Sequence, residues 1–139
     1  HNIFRPNESV HCSGSVRLGD REFHCWRRQG HGTVNLRTAV KTSCDIFFYE
    51  TAQRLGIERL HAMGQSFGIG QQFDIGISGV ARGIMPDPAW KRAQRNQGWS
   101  TGDSYNTVIR QGAMLASPLQ LAGMTARAAS GRAVEPTLC

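Results

Sequence analysis

Thr42-Ser43-Cys44-Asp45-Ile46-Phe47-Phe48-Tyr49 places a hydroxyl, a thiol and a carboxylate on three consecutive residues, just ahead of an apolar run. Thr42 followed three residues later by Asp45 fits a capping box, in which two side chains reciprocally satisfy free backbone donors. The spacing predicts a helix from about Cys44 to Leu55, stopped by Gly56. Phe48, Ala52 and Leu55 would share one face, with Phe47 widening it. A helix start aims free N–H groups outward and suits a ligand site. Capping is common at every helix start, so the stretch by itself requires only a cap and a buried helix.

Upstream, Cys12 to Trp26 reads as a hairpin of short alternating runs turning at Gly19-Asp20. That turn sets Leu18 opposite Arg21 and Gly14 opposite Cys25. Cys12 then becomes a diagonal neighbour of Cys25 at the mouth of the same hairpin. Gly30 and Gly32 flank His31 in a tight turn. Val34 to Lys41 is a short helix with Val40 helping to bury it. Residues 1–11 read as a loose terminal segment.

Downstream, Ile57, Leu60, Met63 and Phe67 predict a helix with a core-facing stripe. Residues 68–79 form a glycine-broken strand-and-turn stretch, and a short helix follows Pro86 and Pro88. Residues 96–106 read as a loop. Ser117-Pro118-Leu119-Gln120 is a full helix start with Ser at the N-cap, Pro at N1 and Gln at N3. Leu121, Met124 and Ala128 carry its apolar face to Gly131.

Four cysteines occur, at 12, 25, 44 and 139. Cys12, Cys25, His31 and Cys44 are the candidate metal set. Three thiolates and one imidazole make a common closed tetrahedral zinc site. The hairpin mouth supplies two ligands, the glycine-flanked turn one and the helix start the fourth. A helix N-terminus lowers a thiol pKa and so favours Cys44 as thiolate. The spacing matches no zinc finger. A Cys12–Cys25 disulfide and buried free thiols therefore stay open, as do His11 and His24 as substitute ligands.

Composition narrows the class. Hydrophobic content of 40% against 19% charged residues argues against global disorder. No apolar run approaches the roughly 20 residues that span a bilayer. The net charge of +6 is spread along 139 residues rather than clustered, which argues against a nucleic-acid partner.

The segment Gly30-His31-Gly32, then Ser43-Cys44-Asp45, opens an ordered series. It continues through Leu55-Gly56-Ile57-Glu58-Arg59-Leu60, Phe67-Gly68-Ile69-Gly70, Asp74-Ile75-Gly76-Ile77, Gly83-Ile84-Met85-Pro86, Gln111-Gly112 and Ser117-Pro118-Leu119-Gln120-Leu121. The series resembles the transpeptidase domain of class B penicillin-binding proteins, in the penicillin-binding protein 2 branch. Ser104-Tyr105-Asn106 also fits a bare Ser-x-Asn, but only Ser43 sits in the series.

The resemblance implies an α/β fold, mainly helical over this portion with a small hairpin. Residues 1–139 would form a partial transpeptidase domain: a loose segment at 1–11, a zinc-site hairpin and Ser-x-Asp motif at 12–45, and a helical portion at 46–139. It implies serine acyl transfer between peptidoglycan stem peptides during cell elongation, with β-lactams as mimics. Ser43 would relay protons and Asp45 would help place substrate. It also implies structural zinc on a histidine in a Gly-His-Gly turn and on the cysteine inside Ser-x-Asp. Those are His31 and Cys44, with Cys25 and Cys12 where two acidic ligands would lie. The setting would be the periplasmic domain of an inner-membrane-anchored bacterial protein, with elongation-complex membrane proteins as partners.

The chain holds neither Ser-x-x-Lys nor Lys-Thr/Ser-Gly. In the resembling family these motifs lie to either side of this segment, so the segment alone is expected neither to turn over substrate nor to acylate. Missing sheet partners would leave it marginal, oligomeric or metal-dependent. The competing classes are a free-standing zinc-stabilised interaction module and a basic nucleic-acid binder.

Overall fold

The computed structural model describes residues 5, 7–76, 78–109 and 111–136. Four strands come first: β1 Ser9–Cys12, β2 Ser15–Leu18, β3 Arg21–His24 and β4 Gly32–Asn35. Six helices follow: α1 Leu36–Thr42, α2 Asp45–Leu55, α3 Ile57–Ser66, α4 Pro88–Arg95, α5 Thr101–Val108 and α6 Pro118–Ser130. This is the mixed α/β, mainly helical architecture expected. The described residues divide into two compact units, 5 and 7–56 with 100–109, and 57–76 and 78–99 with 111–136.

In the first unit β2 and β3 form the expected hairpin, with Leu18 opposite Arg21. The Cys25 N–H donates to the Gly14 carbonyl at 2.8 Å. Cys12, however, is not part of that hairpin. It ends β1, which pairs antiparallel with β4 and sets Cys12 opposite Gly32. Residues 9–11, expected to be loose, are therefore strand; residues 1–4 and 6 lie outside the described residues, as does Cys139.

Two glycines let the loops carrying the first two cysteines approach. Gly14 has φ +99°, and a Cβ there would be driven into the Arg28 carbonyl. Gly30 has φ +79°, and its Cβ would meet the Cys12 carbonyl. Gly30→Ala combines a backbone strain with a clash, so it should cost about 3 kcal/mol. Urea unfolding of the variant followed by circular dichroism checks this.

The first unit's core is aromatic. Tyr49 of α2 stacks on Tyr105 of α5, with ring centroids 4.8 Å apart and planes at 19°. Phe23 meets both edge to face. The Tyr105 hydroxyl donates to Gln53 Oε1 at 3.0 Å, which satisfies its buried polar end. Tyr105 lies in the stretch expected to be a loop. Ser100 and Asp103 form a full capping box there and start α5. Val40, expected to be buried, is 61% exposed, because Val34 and Ala39 turn toward the core instead.

The second unit is built around Ile69, Phe73 and Pro86. No residue of α3 is fully buried: Ile57, Leu60 and Phe67 of its apolar stripe are half-buried and Met63 is exposed, so the stripe is only partly covered. The stretch after α3 forms turns, with a single bridge between Ile84 and Leu115 as its only β-pairing among the described residues. Helix α6 starts at the expected capping box and stops at Gly131. Its buried positions are Gln120, Gly123 and Arg127, while Leu121 and Met124 are half-buried and Ala128 is exposed.

Polar side chains here do the work of a core. Arg127 donates to the Ser66 and Val134 carbonyls, both at 2.8 Å, and lies over the Phe73 ring. Gln120 is fully buried, and its Nε2 donates to the carbonyls of Gln71 and Arg82. Gln120→Leu keeps the volume but orphans both carbonyls, at about 1–3 kcal/mol for each buried unsatisfied group. A loss near 3 kcal/mol in chemical denaturation is the expected result.

Candidate functional site

Helix α1 ends on Ser43, and α2 begins one residue later with Cys44 as its N-cap. Ser43 has φ 50° and ψ 50°, the left-handed region that favours glycine. The Cys44 N–H donates to the Ala39 carbonyl at 2.9 Å and the Ser43 N–H to the Val40 carbonyl at 3.3 Å. This pair of bonds is a Schellman motif with serine in the position glycine usually takes. The hydroxyl of Ser43 is exposed and makes no hydrogen bond among the described residues.

The expected Thr42–Asp45 capping box does not form. Thr42 Oγ1 donates back to the Thr38 carbonyl at 2.8 Å. Asp45 lies inside the first turn of α2, and its Oδ2 accepts the Trp26 N–H at 2.9 Å. The helix start is fixed from outside rather than by its own box, because the intervening Schellman turn carries Thr42 away from the α2 amides.

Cys44 points inward. Cys12, Cys25 and Cys44 are 0–1% exposed and unbridged. The ligand atoms of Cys12, Cys25, His31 and Cys44 all lie within 4.8 Å of one another. The predicted set thus comes together in space from two strand pairs, a glycine turn and a helix start. His31 Nδ1 is 3.6 Å from the Cys12 sulfur and 3.5 Å from that of Cys25. A tetrahedral zinc with bonds of about 2.3 Å to sulfur and about 2.05 Å to nitrogen separates those atoms by about 3.5 Å.

Nδ1 faces the sulfurs, while the buried Nε2 has no hydrogen-bond partner among the described residues. The Trp26 ring lies against the imidazole at 5.3 Å between centroids. The donor set and its spacing therefore suit Zn²⁺, with three soft thiolates and one imidazole. His11 and His24 are not members of the cluster.

One electrostatic expectation is reversed. Burial pushes the Cys44 thiol up to about 12, outweighing the lowering by the Phe47 amide, and the Cys12 side chain raises it further. A helix N-terminus does not make this thiolate in the protein alone; a bound cation would, since a coordinated thiol is deprotonated outright.

The model of the penicillin binding protein transpeptidase domain matches residues 1–139. The chain belongs to the penicillin-binding protein transpeptidase family. The curated peptidoglycan D,D-transpeptidase MrdA of Acinetobacter baumannii is 38% identical over 105 residues, 76% of this chain and 16% of that protein. MrdA of Salmonella typhimurium is 33% identical over 119 residues, 85% of this chain and 19% of that protein. The chain therefore spans less than a fifth of these relatives.

Among solved structures, Pseudomonas aeruginosa PBP2 matches with a TM-score of 0.93 and 39% identity, over 99% of this chain and 31% of that one. Helicobacter pylori PBP2 matches with a TM-score of 0.91 and 32% identity, over 96% of this chain and 26% of that one. The likeness is thus to the penicillin-binding protein 2 branch of the transpeptidase fold. Among the described residues no helix is long and apolar enough to cross a membrane.

The four donors read from the sequence come together in space, with Ser43 next to one of them. The sequence reading missed Trp26, whose two N–H groups reach the ends of the Ser43 turn. A tryptophan directly after a candidate ligand was the available signal.

Proposed function

We propose that this segment is the Ser-x-Asp portion of a peptidoglycan D,D-transpeptidase of cell elongation. The observation that carries the reading is Ser43: an exposed, unpaired hydroxyl on a left-handed turn, in a chain the family model matches throughout. A nucleophilic serine attacks the D-alanyl-D-alanine carbonyl, D-alanine leaves, and the acyl group passes to a neighbouring stem's amine. Ser43 accepts and returns the proton at its Oγ during these transfers. Asp45 is half-buried, with one oxygen committed to Trp26, and helps orient substrate through the other.

Cys12, Cys25, His31 and Cys44 hold structural zinc in this reading. The ion supplies a cross-link and no reaction step; the chain's own part is to anchor Cys44 and so present Ser43 beside it. The substrates are stem peptides, with β-lactams as mimics, and the domain works on the periplasmic side of an inner-membrane-anchored protein. Elongation-complex membrane proteins are its partners; the Helicobacter pylori relative has been solved in complex with MreC.

Covalent labelling by a fluorescent penicillin tests this in the full-length protein that carries the segment. Labelling that is stoichiometric in the parent and at least 100-fold slower in Ser43→Ala supports the reading. A parent that never labels overturns it.

A further inference from the structure

We infer that Trp26 is a positioning residue that clamps the Ser43 turn from both sides. Its backbone N–H donates to Asp45 Oδ2 and its indole Nε1–H to the Thr42 carbonyl, each at 2.9 Å. Thr42 and Asp45 bracket Ser43 and Cys44, so one residue holds both ends of the two-residue turn.

The turn needs holding. Ser43 is one of two non-glycine residues with positive φ among the described residues. Such a conformation persists only where its surroundings over-determine it. Within the turn the Schellman bonds include one long partner, Ser43 N–H to Val40 at 3.3 Å. Cys44 is fixed by its fully buried sulfur, and Trp26 secures the residues on either side. Only the Ser43 hydroxyl is left outward with no hydrogen bond among the described residues.

Trp26 is itself well placed for this. It follows Cys25 directly, so the residue anchored in the sulfur cluster hands the clamp to the turn. Trp26 is 64% exposed, which is costly for so large an apolar side chain, yet its backbone N–H and its indole N–H are both engaged by the turn. A tryptophan kept only for packing would bury the ring. The consequence for acylation rests on the transpeptidase reading, whereas the clamp itself does not.

Hydrogen exchange by mass spectrometry on the full-length protein, with Trp26→Phe, Asp45→Ala and Asp45→Asn, tests the clamp. Trp26→Phe keeps an aromatic ring and the backbone donor but loses the indole donor. Exchange over residues 42–45 should quicken about five- to tenfold in Trp26→Phe and in Asp45→Ala, the worth of one hydrogen bond. Asp45→Asn retains an acceptor oxygen and should stay near wild type. In parallel, Trp26→Phe should lower the rate constant of penicillin acylation by a similar factor and leave the non-covalent binding constant unchanged.

Unaltered exchange in both Trp26→Phe and Asp45→Ala overturns the clamp. So does an acylation loss that lies wholly in non-covalent binding, which would make the indole a ligand contact. If the wild-type protein is never acylated, the transpeptidase reading falls while the exchange data still decide the clamp.

Discussion

Cys44→Ala should weaken zinc binding at least 100-fold and slow penicillin acylation in the full-length protein by a comparable factor. Structural zinc contributes about 10–16 kcal/mol in small metal-folded domains. Shared over four ligands, that is about 3 kcal/mol for each, or roughly 100-fold in affinity. Cys44 is the ligand to choose because it is wholly buried and adjacent to Ser43. Losing it frees the interior anchor of a strained turn, whereas losing Cys12 or Cys25 first loosens the strands.

Metal analysis of tag-free protein, a chelator titration and labelling kinetics measured together separate the outcomes. Full zinc content in Cys44→Ala would mean that the cluster is not the metal site. Lost zinc with wild-type acylation would uncouple the metal from the Ser43 turn.

The same thiol sets a pH signature. Without metal, the folded Cys44 holds its proton up to about 12, against an ordinary value of 9.0. The native state then binds that proton more tightly than the unfolded chain does. Its share of stability is complete below about pH 9 and drains away as pH rises toward 12. A bound zinc would add a slope of the opposite sign in the neutral range, where the metal-free thiol contributes none, because protons compete with the ion for the sulfurs and affinity falls as pH falls. A stability that rises with pH through the neutral range is therefore expected in thermal unfolding only with metal present, and the same neutral-range profile with and without metal would exclude thiolate ligation.

How far these features were readable without coordinates depends on how local each signal is. The Gly19-Asp20 turn, the Ser117-to-Gln120 helix start and Gly56 as a stop are written within four residues and were read correctly. Ser100 with Asp103 is an equally local signal, but surrounding Gly98, Gly102 and Asn106 masked it as a loop. Periodicity failed where helices bury polar groups. Helix α6 turns Gln120 and Arg127 inward because carbonyls of loops and of the end of α3 need donors, which no 3.6-residue pattern encodes.

The clustered donor set was legible by residue type, and the strand pairing that assembles it was not. Cys12 reaches the cluster through a second strand pair, with Gly32 opposite it 20 positions along the chain. The Thr42–Asp45 pair carried the right spacing for a box that a Schellman turn pre-empts. That turn is decided by where Cys44 must point, a tertiary demand that overrides the local one.

Ser43→Gly should make the protein more stable and far less active, and the opposition between the two effects is the test. Left-handed backbone costs an L-residue about 1–2 kcal/mol that glycine does not carry. Glycine gives back about 0.5–1 kcal/mol through the greater entropy of its unfolded chain. A net gain near 0.5–1 kcal/mol is expected by chemical denaturation. Acylation should fall about 10²–10⁴-fold, the range for losing a positioned proton-transfer group. Ser43→Ala separates the contributions: it keeps the strain and removes the same hydroxyl, which bonds to nothing among the described residues. Its stability should match wild type while its acylation falls as far as the glycine variant's. A serine retained only as a helix stop would leave acylation intact in both Ser43→Gly and Ser43→Ala. The measured pair thus decides whether the strained backbone at Ser43 is held for its hydroxyl or merely for its turn.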